Sequence, residues 1–174
     1  AQTHEVASMD SVATWLADNL APDSGAVLIH NDYKYDNVVL SPENPTEIIG
    51  VLDWEMATVG DPLMDLGTSL GYWIQADDPD SLKLLPVGPT HLPGNMTRRE
   101  VVAHYEEASG RRVQHPVFYY AYALFKIAVI VQQIYARFVK GLTKDPRFAA
   151  MGPAVNTLSE QAVRAIDAGR IDSF

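Results

Sequence analysis

The sequence predicts an α+β fold with a helical majority, and three observations predict it. Short apolar runs of strand length, residues 26–29, 38–40 and 48–52, crowd together with polar loops between them. Beyond residue 60 the pattern changes to longer stretches with helical spacing, start signals and stop signals. A hydrophobic content of 47% over 174 residues supports one sizeable core, so the chain is read as a single domain, 1–174. A few short strands followed by many helices make this class.

In order, residues 1–7 read as a ragged start. Ser8 or Asp10 is placed to cap a first helix running to about Leu20, with Val12, Trp15, Leu16 and Leu20 on one face. A turn over 21–25 ends it. The strand runs follow, separated by the polar segment 30–37 and by the turn residues 41–45. Asp61 caps a helix opened by Pro62 and running to about Ile74. Residues 75–96, rich in Asp, Pro and Gly, read as a long surface loop. Thr97 and Glu100 form a capping box for a helix that stops at Gly110. Pro116 opens a long apolar helix closed by Gly141, and 153–168 form a last helix with Val155, Leu158, Ala162, Val163 and Ile166 inward.

Composition bounds the partners. A net charge of −9 argues against nucleic acid and against an anionic membrane. The most apolar stretch, 117–131 with Lys126 inside it, is shorter than the ~20 residues of a membrane span and reads as a buried core helix. The absence of cysteine excludes disulfides and permits a reducing, cytoplasmic location, which is the expectation taken. Glu5 and Asp10 stand where a signal peptide needs basic and then apolar residues.

The chemistry concentrates in 30–37, His-Asn-Asp-Tyr-Lys-Tyr-Asp-Asn, and in Asp53-Trp54-Glu55. Both carboxylate-bearing segments are expected at the ends of buried strands, which place oxygen ligands with small error, as a metal-assisted reaction requires. The spacing His30-x-Asp32-x4-Asn37, then an apolar strand, then Asp53, resembles the catalytic loop and metal segment of kinase-like phosphotransferases. With Asp53-Trp54-Glu55 and the continuation from Gly60 to Gly67, it is most similar to the aminoglycoside phosphotransferase family. One departure is Asn31, where most members carry Gly; His-Asn-Asp is the form of the related choline and ethanolamine kinases.

That resemblance implies the large C-terminal lobe of a protein-kinase-like fold, with a short hairpin region carrying the catalytic loop. It implies ATP- and Mg²⁺-dependent transfer of the γ-phosphoryl group to a hydroxyl of a small molecule. Asp32 is then the base, Lys34 a cation for the γ-phosphate, Asn37 and Asp53 the Mg²⁺ ligands, and Glu55 a further metal ligand or a loop brace. His30 is read as holding the loop by bonding backbone near Asp53. Asp61 and Asp65 are read as bracing the following helix. His91, His104 and His115 show no ligand spacing, and the aromatic group from Phe118 to Phe125 is read as packing.

The family's small nucleotide-binding lobe has no counterpart here: there is no Gly-x-Gly-x-x-Gly and no strand-rich segment before residue 26. The chain is therefore expected to be inactive alone, and to self-associate through an exposed lobe interface. Two further readings stay open: a non-catalytic kinase-like binding or regulatory module, and a metal hydrolase built on His30, Asp32 and Asp53. Aminoglycoside, choline-like amine, sugar and other hydroxyl acceptors all remain open.

Overall fold

A computed structural model describes residues 3–174. The first helix, α1 (Ala7–Asp18), begins at Val6 without a side-chain cap, so neither Ser8 nor Asp10 plays that role. Ser8 Oγ is engaged elsewhere, 2.7 Å from Ser159 Oγ. Val12 and Leu16 are buried as expected, while Leu20 lies past the helix end and is exposed.

The strand region holds β1 (Val27–Ile29), β2 (Val38–Leu40), β3 (Ile48–Val51) and β4 (Thr58–Gly60). The last has no apolar run to announce it. The strands make two antiparallel pairs, β1 with β4 and β2 with β3, rather than one sheet. The expectation that the carboxylate-bearing segments sit on buried strands fails. A two-stranded ribbon has two faces, and here only one is covered. Leu28, Ile49 and Val59 are 68%, 57% and 70% exposed.

Asp61 caps α2 (Pro62–Tyr72) by accepting the Leu63 N–H at 2.7 Å. The excursion 75–96 is not a free surface loop. It contains α3 (Asp80–Lys83) and buries Gln75, Asp78, Leu82 and Thr90. Its polarity is internal: Asp78 takes a bidentate bond from Arg98 at 2.7 and 2.6 Å. Arg98 opens α4 (Arg98–Ser109) behind the expected capping box, and Gly110 ends that helix in the left-handed region.

The core is built on α5 (Pro116–Val139) and α6 (Met151–Ala168), the latter preceded by a single 3-10 turn, Pro146–Ala150. At 24 residues α5 exceeds the apolar stretch recognised in sequence, and by length and composition it is apolar enough to cross a membrane. In this fold Tyr120, Ala121, Leu124 and Ala128 are buried against the neighbouring helices. Gly67 of α2 sits so close to α5 that a Cβ there would stand 2.7 Å from the Tyr119 carbonyl. That close approach locks the helix bearing Asp61 and Asp65 to the core.

Candidate functional site

The polar loop leaves β1 at His30 and is seized at once. The backbone N–H groups of His30 and Asn31 donate to the two carboxylate oxygens of Asp65 at 2.9 and 2.7 Å. Asn31 then adopts a left-handed backbone, φ 67, a conformation that Gly takes freely and Asn tolerates better than most residues. His30 has both ring nitrogens engaged. Nε2 donates to the Leu52 carbonyl at 2.7 Å, and Nδ1 accepts the Asp32 N–H at 3.2 Å. The ring also lies 4.7 Å from that of Trp54. Its tautomer is thereby fixed, and the ring braces the loop against backbone beside Asp53, the structural part read from sequence.

Asp32 is buried at the centre. Its Oδ2 accepts from Lys34 Nζ at 2.7 Å and from Asn37 Nδ2 at 2.9 Å. Burial pushes the carboxyl up, but Lys34, Tyr72 and Asn37 donate to it and the net effect holds it below the usual carboxylate range. The Lys34 ammonium in turn lies 4.8 Å from the centre of the Tyr72 ring. Burial and then the Asp32 carboxylate push the Tyr72 hydroxyl well above its ordinary range, so it stays a donor. The group is an ionised carboxylate with cationic and amide neighbours, suited to accept a proton from a positioned hydroxyl.

The β2–β3 hairpin brings the two proposed ligand segments together. Val38 faces Val51, and the Leu52 N–H donates to the Asn37 carbonyl at 2.8 Å, so Asp53 lies one residue beyond a position opposite Asn37. The amide nitrogen of buried Asn37 is committed to Asp32, which leaves its Oδ1 as the free acceptor. Asp53 sits in the left-handed region, φ 61 and ψ 55, a strain of roughly 1–2 kcal/mol for a non-Gly residue. Asp53 and Glu55 are exposed, and neither side chain has a hydrogen bond or ion pair among the described residues. An amide oxygen and uncommitted carboxylates are the hard donors Mg²⁺ takes. No group of three or more His, Cys, Asp or Glu side chains among the described residues is placed to hold a metal ion. The described residues thus offer at most part of such a shell.

Beside Asp32 opens a cleft of about 590 Å³. Its walls come from β1, from α2 through Leu66, Tyr72 and Trp73, and from α4 through Val101, His104 and Tyr105. Lys34 and Tyr72, two of the groups that hold Asp32, also line it. Asp65 is its one carboxylate, and both oxygens are spent on the loop. The aromatic run of α5 takes no part in that wall: Phe118, Tyr119 and Tyr120 are buried as packing.

Three residues that hold the loop escaped the sequence reading. Asp65 clamps the loop rather than bracing its own helix. Tyr72 carried no signal at all. Lys126 did carry one, being the lone charge in an apolar helix, and its Nζ donates to the Asn31 carbonyl at 2.8 Å.

Comparison with known proteins identifies the family. The profile of the phosphotransferase enzyme family matches residues 1–100. Acyl-CoA dehydrogenase family member 11 of Mus musculus is 35% identical over 173 residues, covering 94% of this chain and 21% of its own length. The Homo sapiens protein of that name is 32% identical, covering 92% of this chain and 20% of its own. The crystal structure of a protein provisionally named an aminoglycoside phosphotransferase, from Ralstonia eutropha, superposes with a TM-score of 0.74 at 27% identity. That match covers 94% of this chain and 51% of the other. The chain thus spans about a fifth of the curated relatives it matches.

Proposed function

This chain belongs to the phosphotransferase enzyme family, and from that premise we propose that it carries the catalytic loop of a small-molecule kinase. The reaction is transfer of the γ-phosphoryl group of ATP, with Mg²⁺, to a hydroxyl of an acceptor seated in the cleft. The observation that carries this reading is the buried Asp32 carboxylate, whose partners Lys34 and Tyr72 form part of the cleft wall.

Asp32 orients the acceptor hydroxyl and takes its proton as the new O–P bond forms and the bond from phosphorus to the ADP oxygen breaks. Lys34, a point charge on a flexible stem, follows the transferring oxygens. Asn37 and Asp53, with Glu55, would hold Mg²⁺ through the acceptors they keep free, and the chemistry supplied there would be neutralisation of negative charge on the phosphate oxygens. A second lobe closing over the nucleotide completes the proposal. It is supported by the uncovered apolar faces of the strand pairs and by the greater length of the relatives.

The cleft also speaks to the acceptor. It is lined by apolar and aromatic side chains with Lys34, His104 and Arg111 as its basic groups, and it offers no free carboxylate to an ammonium. That supports an acceptor with an apolar body over a polycationic one, despite the acidic composition of the whole chain. The curated relatives are named for acyl-CoA chemistry, so hydroxylated acyl compounds belong in the test beside aminoglycosides, choline-like amines and sugars.

The test is an acceptor screen with ATP and Mg²⁺ on the intact protein and its Asp32→Asn variant. Transfer is expected to the apolar hydroxyl class, with kcat falling about 10²–10⁴-fold in the variant. Unchanged kcat in Asp32→Asn would remove Asp32 from the chemistry.

A further inference from the structure

Lys126 stands in the middle of α5, inside the apolar run 117–131. A half-buried ammonium loses hydration, and something must offset that loss. Its Nζ donates to the Asn31 carbonyl at 2.8 Å and lies 3.4 Å from both Asn31 Oδ1 and Thr68 Oγ1. Burial lowers its pKa, and the charges of Asp32 and Asp65 act in the opposite sense. All of its acceptors and both facing carboxylates belong to the loop or to α2.

The bond to Asn31 falls at a mechanically decisive point. The Asn31 carbonyl and the Asp32 N–H belong to one planar peptide unit. Lys126 holds the oxygen end at 2.8 Å, and His30 Nδ1 holds the N–H end at 3.2 Å. A planar unit fixed at both ends sets the direction in which the next Cα leaves, and that Cα is the one of Asp32. The same residue, Asn31, is in the left-handed region, where a non-Gly residue stays only if its surroundings hold it. Its own amide nitrogen donates to the Met56 carbonyl at 3.1 Å, and its N–H to Asp65.

We propose that Lys126 is a positioning residue: from the core helix it pins the Asn31–Asp32 peptide and so sets the place of the Asp32 carboxylate beside the cleft. The proposal rests on the reading of Asp32 as the base. It adds to that reading a residue remote in sequence from both motifs, on an element otherwise given to packing. Lys126 touches neither acceptor nor nucleotide in this account.

The experiment uses the intact protein with Lys126→Met, an apolar side chain of similar length suited to the surrounding core, alone and with Asn31→Gly. Lys126→Met is expected to fold, with kcat lower by about 10–100-fold, the scale of a displaced catalytic group, and with the KM for ATP changed less than about twofold, since a pinned base acts after nucleotide binding. Gly adopts the left-handed region without help, so Asn31→Gly in the Lys126→Met background should recover part of the lost kcat. Amide exchange at Asp32 should quicken in Lys126→Met and slow again in the double variant, whatever the activity. Unchanged kcat and exchange in a folded Lys126→Met would overturn the proposal. If Lys126→Met does not fold, the double variant decides. Recovery of folding and turnover supports pinning of the loop, and continued failure to fold assigns Lys126 to the core and overturns it. A protein that transfers no phosphoryl group before substitution would fail the functional reading, while the exchange measurement still judges Lys126.

Discussion

Among the described residues two ion pairs are withdrawn from water, and they are built to opposite rules. Arg98 and Asp78 are 1% and 4% exposed at their side chains, and the guanidinium uses four of its five N–H donors. It holds Asp78 through two nitrogens, donates to the carbonyls of Ile171 and Trp73, and lies 4.7 Å from the centre of the Tyr120 ring. Lys34 and Asp32 meet at a single 2.7 Å contact and are 22% and 13% exposed. Around them, Asp53 and Glu55 keep their carboxylates free, and Asn37 keeps Oδ1. A pair bonded this fully fixes architecture: Arg98 ties α4, the 75–96 excursion and the C-terminal segment into one block. On the kinase reading, the sparsely bonded pair retains capacity for a substrate. Bonding inventory, more than burial, separates the latch from the site.

The comparison breaks most visibly at Arg98. Arg98→Ala leaves Asp78 buried and uncompensated, and should cost about 3–5 kcal/mol in urea unfolding. A loss below about 1 kcal/mol would mean the latch is solvated and weak in solution. Asp53→Gly sharpens the opposite pole. Gly relieves the left-handed strain, so stability should rise by roughly 0.5–1 kcal/mol, while Mg²⁺-dependent nucleotide affinity falls at least about tenfold in calorimetry, a change of ~1.4 kcal/mol. Equal affinity with and without the carboxylate would take Asp53 out of the proposed site. The smallest effect belongs to Asp61, which caps α2 and accepts from Ser24. Burial raises its carboxyl, but Ser24 and the Leu63 N–H outweigh that and the folded group sits below its usual range. A folded-state pKa below the unfolded one stabilises fully above the unfolded value, and that contribution is lost as pH falls through the folded value. Asp61→Ala should therefore cost about 1 kcal/mol at neutral pH. The gap between variant and parent should narrow below about pH 4, near the ordinary carboxylate range.

The sequence was legible where local chemistry decides structure. Asp61 and Pro62, Thr97 with Glu100, and Gly110 each announce a helix end through their own backbone needs, and each stands where expected. The loop motif was legible for the same reason: His30, Asp32 and Asn37 bond to one another or to backbone within a short span. What stayed hidden depends on distant contacts. β4 is recognisable only beside β1, because Thr-Val-Gly has no pattern of its own. Residues 75–96 look like solvent-exposed loop because Asp and Pro are common there; Arg98 converts Asp78 into a core residue from 20 positions away. Tyr72, the last residue of α2, joins Asp32 from a distant part of the sequence, a meeting no periodicity encodes.

One wall of the cleft differs in standing from the others. Of the residues of α4 only Arg98 is fully buried, and Val101, His104, Tyr105 and Ala108 face the cleft from a helix that is otherwise half open to solvent. The loop bearing Asp32 hangs instead from α2 and α5, whose backbones nearly touch at Gly67. On the kinase reading, an inheritable change of diet falls to α4. Mutations there can enlarge, narrow or charge the cleft without disturbing the residues that handle the phosphate. Lineages sharing this fold can then diverge in what they modify while keeping how they modify it, and α4 is the place to look for that divergence.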